Sequence, residues 1–254
     1  MIVGFAQIVH FIIGAIIGSF LNVVSVRVVN NKQFYKGRSE CTDCNKTIRW
    51  QDNLPMLSFL LLKGRCRHCK AKISYLYPIV ELLSGIVFVF IFNLEMELFQ
   101  QAVFLLIISL LIVISTVDTL EKAIYQHHLL LLFALIMIIR GFIEPVKFID
   151  IMYGSLAFGG FLAVLRWVGG KIYKKEAMGI GDVKLAVVLG FMLNLKLAVV
   201  ALYTSFISAS IVGVYLIASK RKSERIIPFA PFLSFGAMIA YSYGQQIISF
   251  VVQF

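Results

Sequence analysis

Two sets of residues in this sequence could do chemistry. Cys41-x2-Cys44 and Cys66-x2-Cys69 are two pairs of thiols separated by twenty-one residues. A two-residue gap lets a tight turn aim both sulfurs at one point, and two such pairs supply the four ligands of a tetrahedral zinc ion. The second set is acidic. Asp182 lies in Gly179-Ile180-Gly181-Asp182-Val183-Lys184 at the mouth of an apolar segment, where an ionised side chain is costly and marks function by default. The two glycines remove side-chain bulk, so a peptide or a second carboxylate can come close. Asp118, which closes another apolar segment, is the candidate partner. Two carboxylates held together share one proton and titrate as a unit. The ionised one takes a proton from water while the other donates to a carbonyl oxygen, which is the equipment of aspartyl proteolysis. The plainer role for a lone Asp at a helix start is to cap it.

The frame around these residues is a membrane protein. Of 254 residues 60% are hydrophobic and only 15% charged, and the mean hydropathy is +0.90. A water-soluble domain is about a quarter charged. Apolar runs at 2–26, 75–94, 99–117, 124–143, 148–168, 197–219 and 229–252 approach or reach the roughly 20 residues that cross a bilayer as a helix. An eighth, 183–195, is too short to cross unless tilted or partly re-entrant. The expected fold is therefore all-α, a polytopic bundle of about eight spans. Its domains are a first span (1–26), a tetracysteine loop resembling a zinc ribbon (27–74) and a helix bundle (75–254) that carries the acidic pair. The first run has no basic region before it and no small-residue cleavage pattern after it, so it is expected to stay as a span.

Positive charge sets the orientation. Residues 27–74 hold eleven Lys/Arg and three acids, Glu40, Asp43 and Asp52. With eight spans, 21 of the 24 Lys/Arg fall on one side, which the positive-inside rule makes cytoplasmic. The +11 net charge is thus explained by topology rather than by nucleic acid, and an acidic-lipid surface or a membrane-bound substrate is the nearer partner. Thiols on the cytoplasmic side stay reduced, which favours metal over two disulfides. Four sulfurs leave no open coordination position, so the zinc is expected to be structural and to hold folded a loop with little core of its own. Glu81, Asp118 and Asp182 lie at the cytoplasmic level, and Asp150 lies opposite. Gly14 and Gly18 form a close-packing face on the first span. Asn22 there is either an interhelical hydrogen bond or a functional group, and His10 reads as a packed histidine.

These motifs resemble the type IV prepilin leader peptidases, membrane aspartyl proteases of the GxGD type. The resemblance covers nearly the whole chain. It rests on Gly18-Ser19-Phe20-Leu21-Asn22-Val23-Val24 with Arg27, the two CxxC pairs, Asn53-Leu54-Pro55 and Gly64-x-Cys66-Arg67-x-Cys69. Ile73-Ser74-x-x-Tyr77-Pro78-x-Val80-Glu81, Gly179-x-Gly181-Asp182-x-Lys184 and Pro228-Phe229-Ala230-Pro231-Phe232 complete it. It implies that Asp118 and Asp182 are the catalytic pair, with Gly179, Gly181 and Lys184 around them and with Asn22, Arg27 and Glu81 in substrate or support roles. It further implies prepilins or pseudopilins as substrates, cut after a glycine at the cytoplasmic face of the inner membrane. Members with the cysteine loop often also N-methylate the new terminus with S-adenosylmethionine, although no glycine-rich nucleotide loop is visible here. One departure stands out: where the family has a proline and often another Asp after its first aspartate, this chain has Ile124-Tyr125-Gln126, so the next helix is expected to start earlier.

Two other classes compete. A proton-coupled transporter would want its carboxylates near the midplane at a repeat interface, and no repeat is visible. A membrane-anchored zinc scaffold would leave Asp118 and Asp182 without purpose.

Overall fold

The structure, a computed structural model, describes residues 2–33, 37–144, 146–174, 176, 178–219 and 227–252. The cations Lys36, Lys175, Lys220, Arg221, Lys222 and Arg225 lie outside the described residues. Two compact units divide the chain, Met1–Thr116 and Val117–Phe254.

The first unit holds α1 (Ile2–Val29), a 3-10 turn (Trp50–Asn53), α2 (Leu57–Leu61), α3 (Leu76–Phe92) and most of α4 (Leu98–Glu121). Helices α1 and α3 pack antiparallel. His10 stacks on Phe92 at 4.0 Å, and Asn22 donates its Nδ2 hydrogen to the Tyr77 carbonyl at 3.1 Å. Between those ends, a Cβ on Gly14 would stand 2.6 Å from the Cβ of Phe88, and one on Gly18 2.6 Å from the Ser84 hydroxyl. The small-residue face is what brings the backbones together, as expected.

The second unit begins with the last turn of α4 and continues through α5 (Gln126–Ile138), a π-helical turn (Ile139–Ile143) and α6 (Phe148–Tyr173). Helices α7 (Ile180–Gly190), α8 (Leu195–Ala218) and α9 (Ala230–Val252) follow. The glycines of α6 and α7 carry the packing between these two helices: Gly159 rests on Val187, and Gly154 and Gly190 leave room only for backbone. On α8 the outward residues Tyr203, Ile207, Ile211 and Val214 repeat at helical spacing and are exposed, an apolar stripe suited to lipid.

Each expected span is met by a helix. Among the described residues five are long and apolar enough to cross a bilayer: Gly4–Val29, Leu98–Glu121, Gln126–Ile143, Phe148–Ile172 and Leu195–Ala218. This is a multi-pass membrane protein. Helix α7 has only 11 residues, about 16 Å at 1.5 Å per residue. It is nevertheless bracketed by α5. The Lys184 ammonium meets the Gln126 side chain at one end of α5, and Arg140 at the other end donates to the carbonyl of Met192, just past α7. These two contacts, the second from the π-helical turn that continues α5, fix both ends of α7 and its turn against that helix.

Candidate active site

Asp118 and Asp182 both belong to the second unit, and they lie close enough to act on each other electrostatically. Asp118 is buried near the C-terminal end of α4, which stops at Lys122 with a left-handed backbone (φ 59°). Its Oδ2 accepts the main-chain N–H of Ala230 at 3.1 Å. Ala230 is the first residue of α9, so the carboxyl sits where a helix leaves N–H groups unpaired and positive. The Pro228-Phe229-Ala230 stretch thereby acquires a role that its residue types did not announce.

Asp182 is the third residue of α7. The residue that caps the helix is Gly179, with extended backbone (φ −63°, ψ 140°), and Asp182 reaches back to accept its N–H. This is half of a capping box. The oxygen nearest Gly179 is Oδ2, which a Cβ there would meet at 3.0 Å. The other oxygen, Oδ1, is buried and has no hydrogen-bond partner among the described residues. The two oxygens of the carboxyl are thus unlike: one caps the helix, and the other makes no hydrogen bond to the described residues.

Gly181 has a separate reason. A Cβ there would stand 3.1 Å from the Cβ of Ile124, in the connection that follows Asp118. The glycine lets α7 press against the segment carrying its partner acid. The absent proline does not move α5 earlier: the helix begins at Gln126, and Tyr125 is held extended at φ −79°, close to proline's own angle. Its hydroxyl donates to Glu121 Oε2 at 2.7 Å. Lys184 is exposed and points to Gln126 rather than to either acid.

Three residues not singled out as site candidates also shape this unit. Arg166 of α6 pairs with Glu176 at 2.9 Å and donates to the Met178 carbonyl, holding the entry to Gly179. His128, in the first turn of α5, is buried with Nδ1 unpartnered among the described residues. Arg140 is buried, pairs with Glu144 at 2.9 Å and stacks over Tyr241 of α9. Buried cations and histidines within apolar helices were the signal available to find them.

In the first unit the four cysteines form two like turns. The Cys41 N–H donates to Lys46 and the Cys66 N–H to Ala71, while Asn45 and Lys70 take left-handed backbone (φ 54° and 60°). The four sulfurs lie within 4.8 Å of one another and could hold a metal ion. The N–H groups of Cys69 and His68 draw the Cys66 thiol down to about 7. Against the N–H of Ala71, burial and the sulfurs of Cys66, Cys44 and Cys41 push Cys69 up to about 12. Four sulfurs this close cannot all be thiolates without a cation among them. Asp52 braces the second turn, accepting from the Nε and Nη2 of Arg67 at 2.8 and 2.6 Å.

Arg27 and Glu81 bond to this loop, and Asn22 joins the two helices that flank it. Asn22 joins α1 to α3, and Arg27 donates to the carbonyls of Gln33, Gly37 and Arg38. Glu81 is buried and accepts the N–H of Met56 at 2.7 Å.

The helical architecture is that of a multi-pass membrane protein with two neighbouring aspartates at helix ends. The family described as "Type IV leader peptidase family" matches residues 105–217, and "Bacterial Peptidase A24 N-terminal domain" matches residues 12–94. A Bacillus subtilis protein named "Prepilin leader peptidase/N-methyltransferase" is 33% identical over 251 residues, 96% of each chain. An Escherichia coli "Type 4 prepilin-like proteins leader peptide-processing enzyme" is 35% identical and covers 89% of each chain. An Aeromonas salmonicida prepilin leader peptidase/N-methyltransferase is 31% identical over 93% of this chain and 90% of its own. No solved structure matches. The chain belongs to the type IV leader peptidase family.

Proposed function

We propose that this chain is an aspartyl endopeptidase that removes the leader of type IV prepilins or pseudopilins at the cytoplasmic face of the inner membrane. The observation that carries the reading is the pairing of Asp118 and Asp182, each with one oxygen fixed by a backbone N–H, and Asp182 Oδ1 buried without a partner among the described residues. The pair shares one proton. The ionised carboxyl removes a proton from water as its oxygen attacks the scissile carbonyl carbon, and the protonated one gives its proton to the carbonyl oxygen. Collapse of the tetrahedral intermediate breaks the C–N bond as the carboxyl that took the water proton gives it to the leaving amine, and the other carboxylate recovers a proton from the intermediate's hydroxyl. Both acids sit at helix ends rather than mid-helix, which suits a peptide entering from the membrane surface better than an ion crossing it. The positive-inside pattern of the sequence supports the cytoplasmic orientation, where a basic leader would stay.

Zinc is the metal the cysteine turns suit. Tetrahedral Zn–S bonds of ~2.3 Å place sulfurs ~3.8 Å apart, and Cys41 and Cys69 are 3.8 Å apart. Its role is structural. Methylation of the new terminus, named in the relatives, would use S-adenosylmethionine; the described residues show no glycine-rich cradle for it, and that activity rests on the relatives' names.

Mass spectrometry of a prepilin co-expressed with this chain tests the reading. Cleavage after the leader glycine is expected, with any methyl group read as 14 Da on the mature terminus. Asp118→Asn and Asp182→Asn should each leave the precursor intact while the protein accumulates normally. Processing that survives either change overturns the assignment.

A further inference from the structure

The tetracysteine loop carries an apolar face that neither the metal site nor the acidic pair uses. In α2, Leu57, Leu60 and Leu61 occupy one side of a helical turn and are 59%, 70% and 78% exposed. Trp50, one short turn earlier in the chain, is 70% exposed. The opposite side of α2 is packed: Phe59 meets the Tyr75 ring at 5.4 Å and lies against Gly64.

What fixes the depth of this face is Met56. It sits in a γ-turn with φ 57° and ψ −43°, closed by the Leu57 N–H on the Pro55 carbonyl at 2.6 Å. This backbone is strained for a side-chain-bearing residue. Its own N–H is held at 2.7 Å by the buried carboxylate of Glu81, which also takes the Ser19 hydroxyl of α1. Glu81 lies in the second turn of α3, flanked by Ile79, Leu82 and Leu83, which face outward at 43–52% exposure. So α2 starts at the level where α3 already presents apolar side chains to its surroundings. The loop is tethered at both ends to α1 and α3, and cannot lie far from the bilayer. The chain just after α2 is cationic, with exposed Lys63, Arg65, Lys70 and Lys72 and no acid between Leu61 and Ile73.

We propose that α2 is an interfacial element: Leu57, Leu60 and Leu61 insert among the acyl chains at the headgroup boundary, and the neighbouring cations bind anionic phospholipid. An apolar face beside a cationic one is the pattern that seats a segment in the interface plane, and cations near an anionic surface add to it. Trp50 suits the same boundary. The Glu81–Met56 bond is then the latch that holds the cysteine loop flat on the membrane. The proposal depends on α1 and α3 crossing a bilayer and not on the peptidase reading.

The test uses the full chain in bilayer nanodiscs, with Leu60→Trp as the sole tryptophan in a Trp50→Phe, Trp167→Phe background. Phospholipid brominated near the headgroup should quench its emission at least twofold more than aqueous iodide does. Quenching should be stronger in phosphatidylglycerol than in phosphatidylcholine bilayers, and Lys63→Glu with Lys72→Glu should remove that difference. Quenching by iodide and not by bromolipid overturns the proposal, as does protection of the tryptophan from both. Iodide quenching that disappears on adding a prepilin overturns it in favour of a substrate-docking face. Equal bromolipid quenching in neutral and anionic bilayers overturns the headgroup contact.

Discussion

Asp118 and Ala230 are 112 residues apart in sequence and joined by a buried 3.1 Å hydrogen bond from backbone to carboxyl. Proline at position 230 would remove that donor at the start of a helix, where its fixed φ is tolerated. Ala230→Gly would keep the donor. A hydrogen bond to a charged group contributes about 1.5–3 kcal/mol, so Ala230→Pro is expected to slow leader removal roughly ten- to a hundredfold. The glycine variant should stay within about threefold of the parent. Turnover rates of purified variants on one prepilin, with thermal midpoints as the folding control, check this. Equal rates for the proline variant and the parent would remove Ala230 from the site.

Gly179 and Gly181 should fail for different reasons. Gly181→Ala drives a methyl against Ile124 and displaces α7 from the Asp118 connection, costing roughly tenfold or more in rate. Ile124→Gly should restore much of that loss by removing the opposing Cβ. Gly179→Ala instead meets the Asp182 carboxyl itself, and Ile124→Gly should not rescue it. Two double-mutant cycles of initial cleavage rates, sharing Ile124→Gly, read the difference. Equal rescue of both would show that the glycines do not have these separate contacts.

The cysteine turns predict one zinc per chain. Native mass spectrometry or elemental analysis should find it, and Cys66→Ser should lower the occupancy to less than half. A chelator should speed proteolytic cutting between Gly37 and Ser74, because a loop this small has little else to hold it. A full complement of zinc in Cys66→Ser would mean the metal sits elsewhere.

Acid should weaken one brace of that loop. The Arg67 guanidinium beside Asp52 holds its carboxyl below the usual range. The folded form therefore binds that proton more weakly than the unfolded form does. The pair's contribution is complete above about pH 4 and fades as pH falls through the lowered value. With Arg67 half exposed, the effect is small and screened by salt. Asp52→Asn should lower the thermal midpoint slightly at pH 7 in low salt, and the gap should narrow progressively as pH falls below about 4. A midpoint gap that does not narrow on acidification would assign Asp52 some other role.

Much of this was legible in the sequence because membranes and metals impose simple spacing. Apolar run length foretold the helices outside the cysteine loop, though not α2 within it, and the two CxxC pairs foretold the sulfur cluster. Gly14 and Gly18 foretold a close helix contact. What stayed hidden is what depends on contacts across long separations. No local pattern says that the N–H of Ala230 serves Asp118, or that Gly181 is paired with Ile124. The expectation of an earlier α5 failed because Tyr125 adopts a proline-like backbone without being proline. Asn22, Arg27 and Glu81 could have touched substrate on sequence grounds; the hydrogen bonds they make are to the cysteine loop and its flanks.

Arg140 sits at the end of the unit away from the acids, yet it is tied to α7, which carries Asp182, and to α9, which supplies the N–H held by Asp118. It grips the turn after α7, and through Glu144, which also takes the Tyr241 hydroxyl, it is bound to α9. Those same two helices deliver Asp182 and the Ala230 N–H at their other ends. The far end of the unit is thus coupled to the acidic end through two helices, and a change at Arg140 should reach Asp182 and the Ala230 N–H without touching either.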